Sequence, residues 1–253
     1  MLLRAVSLVS ALALAVFLMA AIWLGRLERG GPAHVDVALD GELPATFYLP
    51  SEGGDPRAAF LDPPAPHARP PGVVLMHGFA SDRFFTSSVA RRLAQAGYAV
   101  LAIDARGHGQ NRNPFLSSFG RPDFFFRDLA AAVDFLRASP FCDGSRLALM
   151  GHSMGAGAAL DYATRDSGID AAVMIAGGWA VQGPYRPPNA LFIFAEGDPE
   201  RIKERSRALA AALAGVDAVE LGRVYGEFAK RTAVRAFEVA GTDHGRIVWS
   251  DVT

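Results

Sequence analysis

The sequence contains one cysteine, Cys142, so no disulfide can close within the chain and no set of several thiolates can bind a metal. Cys142 is read as a small packing residue. An excess of either charge is missing as well. The 25 Lys and Arg stand against 26 Asp and Glu, a formal net charge of -1, which excludes a general pull toward nucleic acid or anionic surfaces. The six histidines fall at no metal-ligand spacing, and neither metal nor organic cofactor is expected. No internal repeat is present. With 253 residues and 51% hydrophobic content, the chain can build one sizeable core, and one compact domain is expected.

One long hydrophobic run is there. From Ala5 to Leu24 the stretch AVSLVSALALAVFLMAAIWL carries no charge and is flanked by Arg4, Arg26 and Arg29. About 20 apolar residues cross a bilayer core as a helix, and no polar face recurs at helical spacing. An N-terminal membrane-spanning helix is therefore predicted. Residues 1–30 are then an anchor or signal segment, and residues 31–253 a separate domain. A cleaved signal peptide competes, but its apolar region is shorter, and here the chain stays apolar through Ile22, Trp23 and Leu24. The flanking basic residues nearly balance. The expectation is a single-pass membrane protein with its domain outside the cytoplasm.

Residues 34–50 alternate apolar and polar side chains around Asp40-Gly41, which predicts a β-hairpin. The proline-rich stretch 51–71 reads as a surface loop. Short apolar runs then alternate with amphipathic ones. Strands are expected over 72–78, 98–104, 146–151, 170–177, 190–197 and 233–241, and helices over 86–96, 127–138, 154–165 and 200–213. Such an alternation implies an α/β fold with a mostly parallel central sheet covered by helices on both faces. Ligands of such sheets gather at the carboxyl ends of the strands. A closing helix is expected after residue 245, and the short remainder to Thr253 suggests a chain cut back at its C-terminus.

The motif GHSMG (151 to 155) stands between the strand RLALMG and a helix. A serine at so sharp a strand-to-helix turn is forced into strained dihedrals, and side chains two positions either side would collide with the turn; Gly151 and Gly155 leave the room. The helix N-terminus behind Ser153 adds positive potential toward an anion. This is a G-x-S-x-G nucleophile elbow, with His152 and Met154 as its variable positions. A serine hydroxyl needs a base, and the base an orienting acid, in the chain order Ser, Asp or Glu, His. His244 in GTDHGRI follows the last expected strand, and Asp198 in AEGDPE follows the one before it. Capping of the following helix is the competing role for Asp198, with Glu196 the competing acid. Asp243 reads as a turn residue. Oxyanion donors are expected from the N–H of Met154 and, in the loop HGF (77 to 79), the N–H of Phe79; His77 and Gly78 are read as shaping that loop.

HGF, DARGHG (104 to 109), GHSMG, GD (197 to 198) and DHG (243 to 245) together resemble the α/β-hydrolase superfamily over about residues 34 to 250. The proline-rich lead-in, LMHGFASD and the very short link between IAGG and the strand before Asp198 resemble its dienelactone-hydrolase-like and prolyl-oligopeptidase-like branches, which carry little or no cap at that point. The resemblance implies Ser153 as nucleophile, Asp198 as acid, His244 as base, Phe79 and Met154 as oxyanion donors, and Asp104 and Arg106 as loop-holding residues.

Phe84, Phe85, Phe115, Phe119, Phe124, Phe125 and Phe126 crowd the segments around the expected pocket, suiting an apolar acyl or alcohol group, or else packing into the core. Arg83 and Arg112 are the candidate clamps for a substrate carboxylate. The expected activity is hydrolysis of carboxylic esters through an acyl-enzyme, on a small apolar substrate. A thioesterase, a serine peptidase or a non-catalytic binding protein of the same fold are the alternatives. The oligomeric state is not legible.

Overall fold

The computed structural model describes residues 31–40, 42–50, 59–115, 125–178 and 189–250. Strands β1 (Ala33–Leu39) and β2 (Leu43–Leu49) form the expected antiparallel hairpin, pairing Ala33 with Leu49 and Leu39 with Leu43. Asp40 turns the chain with φ 49, a left-handed conformation that Asp adopts more readily than most residues. Then follow β3 (Pro71–Met76), α1 (Ser87–Gln95), β4 (Ala99–Ile103), α2 (Phe126–Ala138), β5 (Asp143–His152), α3 (Met154–Arg165), β6 (Ile169–Ile175), β7 (Asn189–Ala195), α4 (Glu200–Ala214), β8 (Val224–Tyr225) and β9 (Val234–Val239).

The nine strands among the described residues join one sheet in the order β1-β2-β4-β3-β5-β6-β7-β9-β8. Five of its eight neighbour pairings are parallel, from β4/β3 through β7/β9; the antiparallel ones lie at the edges. The α/β fold with a mostly parallel sheet is therefore present.

Strand pleating sorts the side chains between two layers. Val73, Leu75, Val100 and Ala102 pack with Ala90 and Ala94 of α1. Val74, Met76, Leu101 and Ile103 point the other way, into the larger core with Leu129 and Val133 of α2, Ala156 and Ala159 of α3, and Ala210 of α4. Runs such as PGVVLM and AVLAI carry no polar residue because both faces of these strands are covered. Helix α3 is buried along almost its whole length, and its Gly and Ala residues let it lie close to the sheet.

Element boundaries shift by a residue or two, with one larger exception. Strand β5 starts at Asp143 rather than at 146, because Pro71 pairs with Asp143 before a bulge restores the apolar register; the polar residues 143–146 give no apolar signal. Strand β8, only two residues long, was not anticipated. After residue 245 the described chain makes a single 3-10 turn, Arg246–Val248, whose Ile247 and Val248 are buried against Ile175 and Ala195.

The membrane expectation is corrected. The run 5–24 lies outside the described residues. Among the described residues no helix is long and apolar enough to cross a membrane. The longest, α4, has 15 residues where about 20 are needed, and its Glu, Arg and Lys content follows from lying on a sheet with one face to solvent.

Phe192 of β7 is fully buried between sheet and helices. Phe192→Ala is expected to lower the unfolding free energy by about 3–5 kcal/mol, measured as a lower urea midpoint with an unchanged m-value.

Candidate active site

Strand β5 ends at His152 and α3 begins at Met154, so Ser153 alone makes the turn, at φ 51 and ψ -108. Its backbone N–H donates to Ile175 O of β6 at 2.8 Å. A Cβ on Gly151 would fall on the Gly155 carbonyl, one on Gly155 on the Met76 carbonyl, and one on Gly177 on the Ser153 carbonyl. The two motif glycines are thus required by close backbone approach, as expected. Gly177, ahead of the link after IAGG, is a third that the motif does not contain. Ala80 (φ 54) and Ala176 (φ 50) share the left-handed backbone of Ser153. All three occupy turns after β3, β5 and β6, so backbone strain collects at one rim of the sheet.

Strands β7 and β9 bring the other expected residues to that rim. His244 Nε2 lies 2.9 Å from Ser153 Oγ, and His244 Nδ1 lies 2.6 Å from Asp198 Oδ1. The carboxylate accepts, so Nδ1 carries a proton, and in the neutral form of the ring Nε2 is then the acceptor for the serine hydroxyl. The Asp198 side chain is fully buried, while that of His244 is 35% exposed. Asp198 Oδ2 accepts the Ala195 N–H at 2.6 Å. Helix α4 has Pro199 at its N-cap and no side-chain cap bond, so Asp198 serves the histidine and not the helix. Glu196 instead accepts Gly241 N–H at the surface. Asp243 accepts the N–H groups of Gly245 and Arg246, the turn role read for it.

The loop after β3 runs beside the serine: a Cβ on Gly78 would sit 3.2 Å from Ser153 Cβ and 2.9 Å from His152 Nδ1. His77 is fully buried and locks this loop. Its Nδ1–H donates to Gly78 O at 2.6 Å, and its Nε2 accepts Ala105 N–H at 3.0 Å. Burial lowers its pKa from the ordinary value, which suits a ring held neutral between one acceptor and one donor. Met154, the first residue of α3, has an N–H for which a helix offers no internal acceptor. Phe79 follows Gly78 in the loop against Ser153 and is 57% exposed.

Arg83 is not a clamp for substrate. Its side chain is 2% exposed and pairs with the fully buried Asp104, which also accepts Arg83 N–H and Gln110 N–H at 2.8 Å each. Arg83 Nε reaches Thr46 Oγ1 at 2.9 Å. The arginine is consumed in joining the loop after β3 to the loop after β4 and to β2. Arg112 is exposed. Arg106 forms a two-pronged pair with Asp128 of α2, at 2.6 and 3.1 Å. Asp104 and Arg106 therefore hold loops, while Asp128, unmarked by any motif, was not anticipated.

The expected phenylalanines divide. Phe119 and Phe124 lie outside the described residues. Phe125 is core, and Phe126 packs on Tyr162 with ring centroids 4.7 Å apart. Phe115 meets His108 edge-on and lies tilted against Phe79 beside the loop after β3. Phe84 is 51% exposed, and Phe85 lies between His152 and the exposed Trp249. Among the described residues no group of His, Cys, Asp and Glu could hold a metal ion.

The sheet, its helical layers and the meeting of Ser153, His244 and Asp198 at the carboxyl ends of its strands define a member of the α/β-hydrolase superfamily. Residues 69–211, more than half of the chain, match the model of the serine aminopeptidase, S33, family, and the chain belongs to that family. A cutinase, est1, of Thermobifida alba is 27% identical over 157 residues, covering 57% of this chain and 45% of the cutinase. A monoacylglycerol lipase of Mycolicibacterium smegmatis is 34% identical over 119 residues, covering 44% of this chain and 39% of the lipase. The matched stretch thus spans less than half the length of either relative. The solved structure of a dienelactone hydrolase from Anabaena variabilis superposes with a TM-score of 0.56 at 20% identity, covering 86% of this chain and 89% of that one. That likeness is one of fold.

Two predictions follow from the buried polar groups. Arg83→Met strands the Asp104 charge in the interior and is expected to cost about 3–5 kcal/mol of stability, read from urea unfolding. Burial lowers the His152 pKa from 6.5 to about 4. Between those values the unfolded chain binds a proton at 152 that the folded chain does not, so stability falls as pH drops through this window. Unfolding at pH 7 and pH 5 is expected to show the loss, and His152→Gln to reduce it.

Proposed function

We propose that the chain is a serine hydrolase that cleaves carboxylic esters through an acyl-enzyme, with residues 31–253 as its catalytic domain. The observation that carries this reading is the continuous pair of hydrogen bonds from Asp198 through His244 to Ser153 Oγ, at 2.6 and 2.9 Å. Ser153 Oγ attacks the ester carbonyl carbon while His244 Nε2 takes its proton. The buried Asp198 carboxylate holds the ring in the tautomer that can do so and stabilises the imidazolium that forms. The N–H groups of Met154 and Phe79 stabilise the oxyanion. Collapse expels the alcohol, protonated by His244, and leaves an ester on Ser153. Water, deprotonated by His244, attacks that ester, releases the acid and returns the proton to Ser153.

An ester is favoured by the two relatives named for ester cleavage, a cutinase and a monoacylglycerol lipase. The exposed rings of Phe79, Phe84 and Trp249 suit a small substrate with an apolar group. The family's description as serine aminopeptidases supports a peptide bond as the second reading, since the same three side chains serve both reactions.

Wild-type protein is expected to hydrolyse p-nitrophenyl esters and to be labelled by a fluorophosphonate. Ser153→Ala should abolish labelling, and Asp198→Asn should lower kcat by roughly 10^3–10^4-fold through the wrong tautomer of His244. Labelling that survives Ser153→Ala would remove the serine from its role. Faster turnover of an aminoacyl anilide than of the matching ester would favour the peptidase.

A further inference from the structure

His152, a variable position of the serine motif, is 4% exposed and has a specific place between two functional loops. Its Nε2 lies 2.7 Å from the backbone oxygen of His244. A carbonyl can only accept, so Nε2 carries the proton and Nδ1 is bare. Nδ1 is buried and has no hydrogen-bond partner among the described residues, facing instead the backbone of Gly78 in the loop beside Ser153. The ring sits between Phe85, centroids 5.5 Å apart, and the His244 ring, 5.0 Å apart. It cannot slide toward either loop without meeting one of these neighbours.

We propose that His152 is a positioning residue whose Nε2–H, bonded to the His244 carbonyl, sets the height of the His244 imidazole over Ser153. His244 lies on the turn after β9, tied down by Asp243 capping on one side and by Asp198 at its ring. The bond from His152 is the tie to that residue's own backbone, and it comes from the residue next to the nucleophile. The serine and the base are thereby referred to one another through a single side chain, independent of the sheet edge between them. The carbonyl partner keeps the proton on Nε2, and burial, by lowering the pKa, keeps Nδ1 bare at neutral pH. This inference rests on the triad reading above.

The test compares His152→Gln, whose terminal amide can reach the Nε2 position, with His152→Asn, whose amide ends near Nδ1 and falls short, and with His152→Leu, which donates nothing. On p-nitrophenyl acetate the Asn and Leu variants are expected to lose about 10- to 100-fold in kcat through a misplaced base, with KM little changed. The Gln variant should return kcat to near the wild-type value. The low-field NMR signal of the proton between His244 and Asp198 should persist in wild type and Gln and shift or broaden in Asn. Equal kcat in Gln and Asn, whether both high or both low, or an unaltered NMR signal in Asn, would overturn the proposal. Absence of any wild-type turnover would instead defeat the triad reading, and the NMR comparison would still decide the role of His152.

Discussion

The structure turns on one strained residue. Ser153 holds φ 51 and ψ -108, a backbone region that costs a side-chain-bearing residue on the order of 1–3 kcal/mol. It stays there because β5 must hand over to α3 in a single step while its N–H is bonded to β6 and its carbonyl is crowded by Gly177. Relaxing the turn would push α3 off a sheet on which it is buried along nearly its whole length. The packing of the central helix therefore holds the hydroxyl at the rim, and every partner has to be brought to that point.

The loops after β3 and β4, beside Ser153, are fixed to one another by buried polar connections, while the turn after His244 is also held by the apolar packing of Ile247 and Val248. His77 locks the loop after β3 to the loop after β4. Arg83 and Asp104 do the same at a second point, and Arg106 and Asp128 extend the tie to α2. A buried ion pair of this kind is weak evidence of stability, since its desolvation offsets much of its attraction. It does give direction, because a guanidinium and a carboxylate accept few relative placements. Loops that carry chemistry on a rigid sheet gain more from such directionality than from another apolar contact.

Strain and buried polarity also explain which site residues were legible. Gly151 and Gly155 signal the turn because glycine is the residue that tolerates zero clearance, and Asp198 and His244 could be placed because a mostly parallel sheet lines up the ends of its strands. Ala80 and Ala176 adopt the same left-handed backbone as Ser153 yet give no local signal, since alanine is common everywhere. Arg83 looked available for an anion because a sequence shows a charge but not its partner. His152 looked variable because a motif lists side chains by position, whereas its bond runs to a backbone atom of residue 244.

The sequence alone determined the alternation of strand and helix, the sharp turn at Ser153 and the order in which Ser153, Asp198 and His244 follow one another past their strands. These depend on near-neighbour chemistry: hydrophobic period, glycine at a tight turn, polar residues just past apolar runs. Only the tertiary structure decided that His244 reaches Ser153, that Asp198 turns toward His244 instead of capping α4, that Arg83 is spent on Asp104, and that His152 bonds the backbone of residue 244. Each of those choices is made between groups tens of residues apart, in an interior where an unpartnered polar atom is costly. Which partner satisfies it is set by the way the sheet brings its strand ends together, and that arrangement is not local in the chain.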